Sequence, residues 1–149
     1  MSIFPSGNIL ELNFSIIKIY DINCNLLQKI EISNNSYIQF SYSDIYDVNN
    51  FLTSSKNKSI ITWIKKNNKY SINKTINNAH NNSISKVIYN SKGNLISCSN
   101  DGLIKIWELN NKEYINIKTL NHTNIVNSIL LWEDKNILIS SVMELNFGI

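Results

Sequence analysis

The chain has 149 residues, of which 43% are apolar and 17% charged, and a formal net charge of +3, the size and composition of one globular domain. All 14 basic residues are lysine, and 11 acidic residues are interleaved with them, so neither a basic stripe nor an arginine fork is available and a nucleic-acid partner is not expected. No apolar stretch reaches the roughly 18–20 residues of a membrane span, and the opening Met-Ser-Ile-Phe-Pro-Ser-Gly has neither part of a secretory leader, so a cytoplasmic or nuclear protein with no membrane partner is expected.

Cys24 and Cys98 form no Cys-x-x-Cys pair and are expected to be reduced and buried, with no disulfide framework and no zinc site. Glycine occurs 4 times and proline once, against 27 asparagines. Asparagine visits the left-handed region more readily than other residues with a Cβ, so Asn pairs are expected to make turns where glycine is scarce.

In chain order, the first β-rich run is Ile16-Ile17-Lys18-Ile19-Tyr20, the second is Ile60-Ile61-Thr62-Trp63 and the third is Ile104-Lys105-Ile106-Trp107. Their closing aromatics fall at steps of 43 and 44 residues. His80 and His122 stand 42 apart, and the pairs Asn34-Asn35 and Asn67-Asn68 recur after 43 residues at Asn77-Asn78 and Asn110-Asn111. Several residue classes sharing one period mark an internal repeat. The clearest period places strands at about 84–90, 94–99, 103–108 and 113–119. Asp101-Gly102, between two of these runs, is a hairpin signal that suggests a primed turn. No sustained 3.6-residue apolar periodicity of helical length appears, so the class is an all-β array. Trp132 is out of phase with the other tryptophans and is expected in the core of an inner strand.

Ala79-His80 followed by Gly93-Asn94-Leu95-Ile96-Ser97-Cys98-Ser99-Asn100-Asp101-Gly102-Leu103-Ile104-Lys105-Ile106-Trp107-Glu108 resembles one complete WD repeat. Ala-His stands for the family's Gly-His and Trp-Glu for its Trp-Asp. Phe51 to Trp63 aligns without a gap, with Ser36 near the histidine position. Ser6 to Asp21 resembles the tail of an earlier unit, and His122 to Ser141 the head of a later one in which Met143 takes the aspartate position. The resemblance implies a partial β-propeller of four-stranded antiparallel blades, two complete and two incomplete, in units at about 1–21, 22–64, 65–108 and 109–149.

By the same resemblance His80, Ser97 (or Ser99), Asp101 and Trp107 form a structural tetrad that pins a loop to its blade. A serine inside a strand pairing is not at the mouth of a pocket, so no catalytic residue is expected, and no cofactor or metal. The implied function is a non-catalytic scaffold for a protein or peptide partner, on a polar face holding Asn78, Asn81, Asn82, Lys56, Lys58, Asn100, Thr123 and Asn124. An acidic or phosphorylated peptide is compatible with that face. Three and a half units fall short of a closed ring, which implies missing blades or a second chain to complete it. The rivals are a truncated or degenerate segment of a longer WD-repeat protein with no function of its own, and a propeller-based hydrolase.

Overall fold

The computed structural model describes residues 2–3, 7–13, 16–32, 38–39, 49–55 and 57–143. Among them β1 (Ser2–Ile3), β2 (Ile9–Asn13), β3 (Ile16–Tyr20) and β4 (Leu26–Glu31) pair antiparallel in chain order as a first sheet. The second sheet repeats the order with β5 (Ile38–Gln39), β6 (Asn50–Ser55), β7 (Ile60–Lys66) and β8 (Lys69–Ile76). The third holds β9 (Ile84–Tyr89), β10 (Leu95–Ser99), β11 (Leu103–Asn110) and β12 (Glu113–Asn121). A fourth sheet contains β13 (Val126–Trp132) and β14 (Ile137–Val142), joined through a short 3-10 turn at Glu133–Lys135. The sequence units end on the closing aromatic, whereas each sheet also takes the strand that follows it. The described residues therefore divide as three four-stranded sheets and one two-stranded sheet, rather than as two full and two partial units.

Asparagine makes the turns as its backbone chemistry suggests. Asn67 and Asn68 have φ of 49° and 61° and form the whole two-residue connection between β7 and β8; Asn111 and Lys112, at 46° and 72°, do the same between β11 and β12. Two consecutive positive φ values are the mark of the primed hairpin turn. The turn at Asp101-Gly102 differs from the sequence expectation. Three residues, 100–102, connect β10 to β11, Gly102 N donates to Ser99 O at 3.2 Å, and of the three only Gly102 has a positive φ, 80°. The connection is an ordinary turn closed by one left-handed residue, the form that three-residue hairpins favour. Lys58 takes the corresponding place in the second sheet with φ 71°.

The core consists of the walls between successive sheets. Leu10, Ile17 and Ile19 of the first sheet bury against Phe51, Trp63 and Tyr70 of the second, where Phe51 stacks on Trp63 at 5.4 Å and meets Tyr70 edge-on at 5.2 Å. Successive side chains on a strand point to opposite faces, so Leu52, next to Phe51, turns with Ile60 to the third sheet and packs with Ile84, Val87, Leu95 and Trp107. Ile96, Cys98 and Ile104 then meet Val126 and Ile129 of the fourth. A strand covered on both faces loses its polar alternation, and all five residues of β10 are buried. Each large apolar side chain so buried stabilises the fold by about 1.5–3 kcal/mol.

The three full sheets share one irregularity. Pairing between the third and fourth strands slips by one residue at the closing aromatic, between Ile19 and Tyr20, Thr62 and Trp63, and Ile106 and Trp107. The extra residue on the outer strand is Leu27, Asn73 or Ile117, respectively. A bulged residue leaves the ladder; Leu27 and Ile117 are about half exposed, as are the paired Leu26 and Ile72 on the outer strands.

Two expectations are corrected. Cys98 is buried, but Cys24 is exposed in the turn before β4, where its φ is 65°. Trp132 closes β13 and is 52% exposed rather than in the core, because the side of the fourth sheet away from the third is uncovered among the described residues. No helix among these residues is long and apolar enough to cross a membrane.

Candidate functional site

His80 lies in the loop between β8 and β9, Ser97 at the centre of β10, Asp101 in the turn after it and Trp107 on β11. The structure brings the four together. Trp107 Nε1 donates to Ser97 Oγ at 2.9 Å, Ser97 Oγ lies 2.8 Å from His80 Nε2, and His80 Nδ1 lies 3.0 Å from the Asp101 carboxylate. One assignment of protons satisfies every atom. Ser97 donates to Nε2 of a neutral imidazole whose Nδ1–H donates to Asp101, leaving the serine lone pairs for the indole. Asp101 also accepts the Asn81 N–H at 2.8 Å and the Leu103 N–H at 3.0 Å. Ser99 is engaged elsewhere: its hydroxyl donates to Ser83 O at 2.9 Å, and its oxygen accepts from Asp101 N at 3.1 Å.

His80 and Ser97 are almost completely buried. Burial lowers the His80 pKa, outweighing the Asp101 carboxylate that favours the charged ring. Burial acts on Asp101 in the opposite sense, but the Asn81 amide and His80 hold its carboxyl below the usual range. Lys105 adds a further tie, donating to Ala79 O at 2.7 Å with its ammonium 5.6 Å from the centre of the Trp107 ring. The loop at 79–81 is thus held by a histidine, a carboxylate and a lysine.

Parts of this pattern recur where sequence reading did not place them. Trp63 Nε1 donates to Thr53 Oγ1 at 2.9 Å, and Thr53 precedes Trp63 by ten residues as Ser97 precedes Trp107. In the first sheet Tyr20 donates to Glu11 at 2.7 Å, and the Lys18 ammonium stands 3.4 Å from the same carboxylate. The Tyr20 hydrogen bond is the main cause of the lowered Glu11 pKa. In the fourth sheet Ser140 Oγ lies 3.4 Å from His122 Nε2. The signal available in the sequence was a Ser, Thr or Glu nine or ten residues before each closing aromatic. Ser36, near the histidine position of the second unit, lies outside the described residues. Met143 N donates to Ile125 O as Asn100 N does to Ser83 O, so Met143 matches Asn100, and the Asp101 position falls on Glu144, outside the described residues.

Of the polar face, Asn78, Asn81, Asn82, Lys58, Asn100 and Thr123 are exposed and Asn124 is half-buried; Lys56 lies outside the described residues. The loop at 78–82, the turn at 100–102 and the loop at 122–124 meet at one end of the third sheet. Asn100 N donates to Ser83 O at 3.0 Å, Ser85 Oγ donates to Asn100 Oδ1 at 2.8 Å, and His122 N donates to Gly102 O at 2.8 Å. Ser59 Oγ reaches Asn77 Oδ1 at 3.5 Å, which sets the Lys58 turn beside Asn78. Among the described residues no three His, Cys, Asp or Glu side chains converge on a point where a metal ion could sit.

Stacked four-stranded antiparallel sheets, with an aromatic anchor on each third strand, define a segment of β-propeller. Residues 71–108 match the family described as WD domain, G-beta repeat, so this stretch, which spans β9, β10 and most of β11, is a repeat of that type. Among solved structures it is similar to a chain of "Crystal Structure of Mitotic Checkpoint Complex", with a TM-score of 0.74 and 17% identity, covering 95% of this chain and 43% of that one. This chain therefore spans less than half the length of that chain. No curated protein matches it.

Proposed function

We propose that the chain is a non-catalytic scaffold that binds a protein or peptide partner on the rim formed by Asn78, Asn81, Asn82, Lys58, Asn100, Thr123 and Asn124. The observation that carries this reading is the sealed network beneath the rim. Asp101 accepts from the Asn81 backbone and from His80, and His80 is anchored in turn on Ser97, so exposed amides stand on a loop whose backbone is fixed from below. A preorganised polar surface loses little entropy on binding. The same burial counts against a hydrolase, since Ser97 Oγ has its hydrogen bonds filled inside the sheet and no substrate carbonyl can approach it. The lysines offer point charges rather than forks, which suits an acidic or phosphorylated peptide held through amide contacts.

The test is an array of acidic and phosphorylated peptides probed with the full chain and with a Lys58→Glu, Asn81→Ala, Asn100→Ala variant. Peptide retention that is lost in the variant at an unchanged thermal midpoint supports the rim. Retention identical in the two proteins removes it.

A further inference from the structure

The outer strands of the second and third sheets begin alike. β8 and β12 each follow a two-residue turn and carry a tyrosine as their second residue, Tyr70 and Tyr114, whose ring packs into the wall shared with the sheet before. In an antiparallel pair, residues that exchange hydrogen bonds alternate with residues whose N–H and C=O point away from the partner strand. A two-residue turn makes its flanking pair the bonded one, here Lys66 with Lys69 and Asn110 with Glu113. The next pair, Lys65 with Tyr70, therefore faces outward on both sides. Lys65 N donates to Asn49 O at 2.7 Å. On the other side Gln28 of β4 reaches across from the first sheet, its Nε2 donating to Tyr70 O at 2.9 Å and its Oε1 accepting from Tyr70 N at 2.7 Å. One carboxamide satisfies both backbone groups that Tyr70 presents on its edge.

Leu109 with Tyr114 is the equivalent pair of the third sheet, so Tyr114 presents the same N–H and C=O. Lys74 holds the place of Gln28: each lies just past the bulged residue and pairs with the residue before the closing aromatic, Gln28 with Ile19 and Lys74 with Thr62. An ammonium can donate to the Tyr114 carbonyl but has no acceptor for its N–H. Between the two strands is a cleft of about 400 Å³ whose lining includes Lys74, Ile76, Asn77, Lys112, Glu113 and Tyr114. Two lysines against one glutamate make the cleft positive, which favours an acidic occupant.

We propose that this cleft receives an extended, acidic segment of a partner protein through the side-chain carboxamide of a glutamine, whose oxygen accepts the Tyr114 N–H and whose NH2 donates to the Tyr114 carbonyl. The contact is the one Gln28 makes with Tyr70, supplied from outside the chain where Lys74 does not supply it from within. It gives the scaffold a second site, and it rests on this contact rather than on the rim.

The probe is a labelled synthetic peptide, Leu-Leu-Gln-Asp-Ile-Glu, which keeps the residues of β4 around Gln28 with Asp in place of Lys29, titrated by fluorescence anisotropy into the full chain. Saturable binding is expected. It weakens about tenfold when the peptide glutamine becomes methionine, or glutamate, which keeps the shape but has no N–H for the carbonyl. Lys74→Gln is expected to rebuild the Gln28 contact within the chain and to shut out the peptide, whereas Lys74→Ala keeps the preference for glutamine over methionine. The peptide changes leave the chain untouched, so they still decide the matter if a variant is unstable. No binding by folded chain, equal or tighter binding of the glutamate peptide, or full binding by folded Lys74→Gln would each overturn the proposal. The triple rim variant alters none of the residues used here and is expected to bind this peptide normally; loss of the peptide in it would assign the peptide to the rim and overturn the cleft. Failure at the cleft with a working rim sinks the carboxamide site alone, whereas a silent rim with a working cleft sinks the rim reading alone.

Discussion

Trp63 donates its indole N–H to Thr53 over the same ten-residue interval by which Trp107 reaches Ser97, and at the same 2.9 Å. The two acceptors differ in what else they hold. Thr53→Val is expected to orphan one buried donor and to cost about 1–3 kcal/mol. Ser97→Ala also strips His80 Nε2 of its partner, and its cost is expected to be roughly twice as large. Urea unfolding of the two variants against the parent chain measures the difference; a Thr53 variant equal to or weaker than the Ser97 variant would contradict the network as described.

Thr62 behaves in the opposite way. Its Oγ1 is buried without a hydrogen-bond partner, and it stands in register with Ile19 and Ile106. Thr62→Val removes an unsatisfied hydroxyl at nearly constant volume, so a gain of about 1 kcal/mol is expected. Denaturant midpoints check it.

His80 makes the fold sensitive to mild acid. Its folded pKa lies below the ordinary histidine value because of burial, so the unfolded chain takes up a proton first as pH falls. The stabilisation is complete above about pH 6.5 and drains as pH drops towards the folded value. Asp101, also lowered, adds a loss of the same sign at lower pH. Thermal midpoints between about pH 7.5 and 5.5 are expected to fall in the parent chain and to fall less in His80→Gln. A midpoint that rises on acidification would contradict the neutral-ring assignment.

Gly102 and Gly93 share a left-handed φ, 80° and 81°, but not their surroundings. A Cβ on Gly102 would stand 2.8 Å from His122 O, whereas one on Gly93 meets nothing within 4 Å. Gly93→Ala is expected to cost about 1 kcal/mol for the backbone alone. Gly102→Ala adds the displacement of the next loop and should be clearly the worse of the two in equilibrium unfolding.

The two thiols are expected to separate by reactivity. Burial pushes the Cys98 thiol up to about 11, while Cys24 is exposed. A disulfide reagent at neutral pH should therefore modify one thiol per native chain quickly and the second only on unfolding. Mass spectrometry after partial labelling identifies which; fast labelling of Cys98 would mean that the third wall opens readily.

The repeat was legible because the aromatics at 20, 63 and 107 each lie on a third strand at the same place in the register, and a wall between sheets tolerates little change of spacing. Asparagine turns were legible for a local reason, the left-handed backbone, which Asn67 and Asn68 adopt. Other features were not readable locally. The exposure of Trp132 depends on which sheet covers a surface, and no window of sequence carries that; Cys24 is exposed because it sits in the turn before β4. The three-residue length of the Asp101-Gly102 connection was legible, but the Asp-Gly dipeptide suggested two positive φ values where only Gly102 has one. Glu11 and Ser140 were missed because they continue the pattern with a different residue type in one case and without its aromatic in the other.

The one-residue slip beside Tyr20, Trp63 and Trp107 separates each outer strand from the three inside it. Length changes at the periphery are absorbed at that step before they reach the anchored ring. The outer strands can accordingly drift, or accept a grafted epitope, while the pitch of the stack stays as it is.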